Sequence, residues 1–123
     1  MKISFVAPFV ALLTLGLPAH SAGTCPNWLG YAMLKASWPT PEYTSCEFER
    51  VEPKGNGVYH ILMKATGASR VSLVDDKEVW VRVGATVSIP NRKIVSFEVR
   101  DYRAMFAPGA TYSTVNEILE SNR

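Results

Sequence analysis

Acid–base or nucleophilic chemistry needs a histidine, a paired acid or an activated thiol. This chain of 123 residues offers few of them. One of its two histidines, His20, lies in an N-terminal leader, which leaves His60. His60 sits in Val58-Tyr59-His60-Ile61-Leu62-Met63, with Tyr59, Ile61 and Met63 on the opposite face of a strand-like run. It reads as a surface or structural side chain, and no nucleophile-elbow pattern accompanies it. Glu47 and Glu49 are two apart and share a strand face, whereas a glycosidase pair must oppose each other across a cleft. Asp75-Asp76 has the chemistry of a turn. The glycines are scattered and form no phosphate-cradling loop. Cys25 and Cys46 lack the further Cys or His ligands of a zinc site. In an oxidising compartment they pair most simply as one disulfide, worth about 3 kcal/mol on the chain-entropy model. The sequence therefore predicts no enzyme, no cofactor and no metal.

The residues that do stand out belong to recognition rather than catalysis. In 78–83, Val79, Val81 and Val83 alternate with Glu78, Trp80 and Arg82. Trp and Arg are the types enriched at binding hot spots. Two readings are open at this point. Either both faces of this strand are buried and Trp80 is core, or Trp80 and Arg82 face a partner from an exposed edge strand.

The elements that position these residues are short. Asn27 is placed to cap a helix over 28–37, with Trp28, Leu29, Met33 and Leu34 as its apolar stripe and Trp38-Pro39-Thr40-Pro41 ending it. Residues 46–52 alternate like a strand, and Pro53-Lys54-Gly55-Asn56-Gly57 is a strong turn signal. Further strands are expected over 58–65, 70–74, 78–83, 85–89 (after a break at Gly84), 93–101 and 103–107. Within 93–101, Ile94, Ser96 and Glu98 fall on one face and Val95, Phe97 and Val99 on the other. A closing helix over 113–122 opens on Thr114 and Glu117, spaced as a capping box. This succession of short strands reads as a β-sandwich or small barrel.

Composition narrows the class. Hydrophobic residues make up 47% and charged residues 20%, as in a single globular domain. Met1-Lys2, the apolar run to Leu17, then Pro18 and Ala19-His20-Ser21-Ala22-Gly23 have the form of a secretory signal peptide, expected over 1–22. The formal charge is +2, and removing Lys2 with the leader leaves +1. That is too little for a phosphate-binding surface, so nucleic acid is not an expected partner. No later segment reads as a membrane span or lipid anchor, and no N-glycosylation sequon occurs.

Residues 80–89, Trp-Val-Arg-Val-Gly-Ala-Thr-Val-Ser-Ile, followed by a polar turn and Phe97-Glu98-Val99, resemble the central strands of the MAX effectors (Magnaporthe avirulence and ToxB-like proteins) of plant-pathogenic fungi. The leader is similar in style. The resemblance implies a mainly β fold, a six-stranded antiparallel sandwich of two three-stranded sheets over 58–123. Residues 23–57 would be an N-terminal extension stapled by Cys25 and Cys46, with a helix from Tyr112 where the family has its sixth strand. It implies a secreted, non-enzymatic virulence or avirulence protein that acts outside host cells or in their cytoplasm. Its partner would be a host plant protein, with heavy-metal-associated domains of immune receptors as one class. By position, the binding strand would be 78–83, with Glu78, Trp80 and Arg82 as partner-binding residues. Two alternatives stand beside it. One is a bacterial periplasmic assembly or binding protein, which runs such as Val81-Arg82-Val83-Gly84 resemble more loosely. The other is a secreted inhibitor of a hydrolase acting through the loop 53–57.

Overall fold

The computed structural model describes residues 23–69 and 77–122. The elements are β1 (Gly23–Thr24), α1 (Asn27–Ser37), β2 (Glu42–Gly55), β3 (Val58–Ser69), β4 (Lys77–Ser88), β5 (Lys93–Arg103) and α2 (Tyr112–Ser121). The expected leader, and the strand expected over 70–74, lie outside the described residues. The five strands pair antiparallel in the order β1-β2-β3-β4-β5.

The fold is mainly β, but the expected sandwich is corrected. Among the described residues there is one five-stranded sheet, and two helices occupy the layer over its buried face. The reason lies in the helix stripes. Leu29, Met33 and Leu34 of α1 and Val115 and Leu119 of α2 are spaced to face the sheet together, and all are buried in one core. Residues 23–57 are accordingly no extension. β2 pairs with β3 along its length, and Phe48 and Val51 share the core with Met63 and Val83. The expected disulfide is present: Cys25, just ahead of α1, is bonded to Cys46 of β2, with Cα atoms 5.5 Å apart.

β4 shows the sheet's logic most plainly. Val79, Val81, Val83, Ala85 and Val87 point into the core, and Trp80, Arg82, Gly84 and Thr86 point to the outer face. Gly84 does not break the strand. It lies beneath Arg100, whose Nε and Nη2 are 3.2 Å from where a Cβ would sit, so glycine leaves room for that guanidinium.

Two bulges change the expected faces. β5 carries one extra residue, Val95, between its pairings with Thr86 and Val87. The bulge turns Ile94 into the core on the same side as Phe97 and Val99, and leaves Val95 54% exposed. Strict alternation had placed Ile94 with Ser96 and Glu98. On β2 a shift between Phe48 and Arg50 lets Phe48 face the core while Glu49 and Arg50 serve the outer face. β5 ends at Arg103, so the strand expected over 103–107 does not form.

The turns follow their sequences. Asn56 and Gly57 both have positive φ (59° and 76°), as a two-residue type I′ hairpin turn requires. The helix caps differ from expectation. Pro26, not Asn27, holds the N-cap position of α1, without a side-chain cap. Thr111, not Thr114, caps α2, its Oγ1 accepting from Thr114 N–H at 3.2 Å, so the expected Thr114–Glu117 box gives way to a single cap one turn earlier.

Candidate partner-binding face

Helices cover one side of the sheet and leave the other open. Trp80 and Arg82 reach that open side because the valines between them are claimed by the core. Trp80 is neither core nor freely exposed; it is half-buried among outward-facing side chains. Lys64 Nζ lies 5.0 Å from its ring centroid and Arg82 Cζ lies 5.1 Å from it. Both cations sit within the range of cation–π attraction. The register explains their position: Lys64 is opposite Arg82 across the β3–β4 ladder, and Thr66 is opposite Trp80.

Arg82 is fixed in turn by Glu49. Nε donates to Oε1 at 2.7 Å and Nη2 donates to Oε2 at 3.0 Å, a bidentate fork. Asp101 of β5 adds a looser ionic contact at 3.6 Å. The Glu49 hydrogen bond raises the guanidinium pKa above its ordinary value. Desolvation opposes this, and the charges of Glu49 and Asp101 reinforce it. Arg82 is therefore a fixed cation whose planar group is held in one orientation.

Beside this cluster the face dips into a groove of about 490 Å³ over Gly84. Leu62 and Thr86 lie in it, and Arg50, Glu52, His60, Glu98 and Arg100 stand around it. Arg100 Nε pairs with Glu98 at 3.1 Å. His60 is exposed, and its Nδ1 lies 3.3 Å from Thr86 Oγ1. Among the described residues, no group of three His, Cys, Asp or Glu is arranged to hold a metal ion. No helix among them is long and apolar enough to cross a membrane.

The three expected binding residues thus lie on one face, but not on an edge. From Trp80 to Ser88, β4 is paired with β3 on one side and β5 on the other. Partner-strand addition along 78–83, expected from the resemblance, is corrected on this ground: from Trp80 onward the backbone groups are already bonded. Glu78 lies exposed before the β5 pairing begins. What the strand offers a partner is side chains.

Sequence reasoning missed the residues that build the setting of Trp80. Glu49 was weighed only as half of an acid pair, and Lys64 and Asp101 were not singled out. Lys64 was legible in the alternation of β3, but Glu49 and Asp101 lie at or beyond register shifts of β2 and β5, so their pairings needed the register. Met105 and Phe106 were also missed. They are 86% and 68% exposed beyond the end of β5, where Trp38 Nε1 donates to the Phe106 carbonyl at 2.9 Å. Comparison of the chain with protein-family models, curated proteins and solved structures finds no match.

Proposed function

We propose that this chain is an exported binding protein without a catalytic step, and that the open face of its sheet takes a protein partner around Trp80. The observation that carries the reading is Trp80 itself, half-exposed between two cations, one of them locked by Glu49. A large aromatic beside an oriented guanidinium has the composition of an interaction hot spot and loses little side-chain freedom on docking. The Cys25–Cys46 disulfide supports an oxidising compartment, in keeping with the leader. The resemblance at 80–99 supports a host plant protein as the partner, with a heavy-metal-associated domain the first to try. Effector action in the host then proceeds through the sheet face rather than an edge strand.

The test is a titration of the chain from Ala22 onward with such a domain, read by tryptophan fluorescence and calorimetry. Binding should saturate, and Trp80→Ala should abolish it while thermal unfolding shows an intact fold. Unchanged affinity of a folded Trp80→Ala variant would remove this face from the reading. The hydrolase-inhibitor alternative is favoured by one observation. Asn56 at the hairpin tip is exposed, and Ile89 N–H anchors the turn by donating to the Gly57 carbonyl at 3.0 Å. Inhibition of a purified hydrolase that is lost on replacing 54–57, and kept in Trp80→Ala, would establish that alternative.

A further inference from the structure

Away from the open face, a second hollow of about 400 Å³ lies where α1 begins and α2 ends. That volume falls within the range of small-molecule sites. Its walls are Asn27, Trp28 and Tyr31 of α1, Tyr43 of β2, Arg92 of the β4–β5 turn, and Leu119 and Asn122 at the end of α2. The rings of Tyr31 and Tyr43 meet edge to face, with centroids 6.4 Å apart. Arg92 Cζ lies 5.1 Å from the Trp28 ring centroid.

Arg92 is the unusual member. Its φ is +48°, a left-handed conformation that is costly for any residue with a Cβ and free for glycine. The position belongs to the β4–β5 turn, which Arg92 N–H closes on the Ile89 carbonyl at 3.2 Å. Among the described residues its guanidinium has no ion-pair partner. Lys35 lies outside these walls, its ammonium donating to the Pro39 and Pro41 carbonyls, so Arg92 is the cation that lines the hollow. No acidic side chain lines the hollow. The local charge therefore favours an anion, and a planar guanidinium suits a carboxylate.

The remaining polar groups favour a hydroxylated ligand. Tyr43 Oη donates to Asn27 Oδ1 at 3.1 Å, which leaves the Asn27 amide hydrogens for a ligand. Asn122 Nδ2 donates to the Ile118 carbonyl at 2.9 Å, which leaves its Oδ1 as an acceptor. The Tyr31 ring, 39% exposed, offers an aromatic face. Donor, acceptor, aromatic face and guanidinium together match a pyranose bearing a carboxylate. We infer that this hollow binds a uronic-acid sugar, with its carboxylate on Arg92, its ring against Tyr31 and its hydroxyls on Asn27 and Asn122.

The experiment uses the chain from Ala22 onward, titrated with digalacturonate and, separately, with the neutral disaccharide digalactose. Amide and indole NMR shifts and calorimetry give the readout. Digalacturonate should bind with shifts centred on Trp28, Tyr31 and Arg92, and digalactose should bind at least about tenfold more weakly, the loss of one charge-assisted contact. Arg92→Gly removes the guanidinium and relieves the left-handed strain. It should melt no lower than the parent chain yet lose digalacturonate binding by about tenfold or more. Tyr31→Ala, at an exposed position, should weaken both sugars. Equal binding of the two sugars, binding retained in a folded Arg92→Gly variant, or no binding of digalacturonate would each overturn the inference.

Discussion

Asn116 performs a task usually left to a neighbouring strand. Among the described residues β5 is the last strand of the sheet, and no strand pairs with its outer row of backbone groups. At Ile94 the side chain of Asn116 supplies a partner: Ile94 N–H donates to Oδ1 at 2.8 Å, and Nδ2 donates to the Ile94 carbonyl at 3.0 Å. The amide thus reproduces one rung of a ladder and ties α2 to the sheet edge. Asn116→Ala removes both bonds. At about 1 kcal/mol of net stability each, the loss is about 2 kcal/mol, and the better helix propensity of Ala returns roughly 0.5. The expected net cost of about 1.5 kcal/mol lowers the melting temperature by roughly 6–12 °C in a domain of this size. Asn116→Leu should cost more, because water is kept from both orphaned groups. Asn116→Asp gives the sharper signature. Its carboxylate still accepts from Ile94 N–H but repels the carbonyl, so its folded pKa lies above the unfolded value. The variant should be weakened at neutral pH and should approach the parent chain as pH falls and the acid becomes a donor. Calorimetric melting of the three variants, with hydrogen exchange at the Ile94 amide, decides the matter. A shift below about 2 °C for Asn116→Ala, with Ile94 protection unchanged, would refute the rung argument.

Three other outcomes are expected. Replacing both Cys25 and Cys46 with Ser should cost about 3 kcal/mol, measured by urea unfolding of the oxidised parent against the variant. Gly57→Ala should cost roughly 1–3 kcal/mol, since it forces a Cβ onto a φ of 76° and within 2.6 Å of Pro90 Cγ and Cδ; thermal melting reads this directly. Desolvation raises the pKa of Tyr43 and Tyr59 above 10.0. A raised folded pKa gives stability that is whole below the unfolded value and is lost as pH rises through the folded one. Stability should therefore decline above about pH 10, and Tyr59→Phe should make that decline shallower in alkaline urea titrations.

The sequence was most legible where a single period ran uninterrupted. β4 alternates from Val79 to Val87 without a bulge, so Val79, Val81 and Val83 were legible as one face, while the side taken by Trp80 and Arg82 and the run through Gly84 were left to the structure. The α1 stripe, the hairpin turn at Asn56–Gly57 and the disulfide were legible for the same local reasons. Alternation failed at Val95, where an inserted residue reverses the faces, because a bulge has no signature short of the pairing itself. Gly84 misled in the other direction. A glycine inside an alternating run looks like punctuation, and here it clears space for a side chain from the next strand. The layer architecture was misjudged because helix stripes and a second sheet bury a sheet face equally well. Trp80 and Arg82 were found by type, but their locked geometry depends on Glu49, 33 residues earlier in the chain, and on a register no local pattern encodes.

The strand order has a further consequence, for the order in which the protein acquires its core. Because β2 to β5 follow one another in the sheet as they do in sequence, their pairings can close as each strand leaves the ribosome, while β1 joins β2 across α1. The face those hairpins present is nevertheless incomplete until α2 arrives, since Val115 and Leu119 belong to the same core as Ile94 and Val87. The meander can therefore zip progressively during synthesis, but the apolar side of the sheet stays partly open to water until its last helix is made. The sheet's apolar side is sealed only when α2 docks, so the meander without that helix is a loosely packed intermediate.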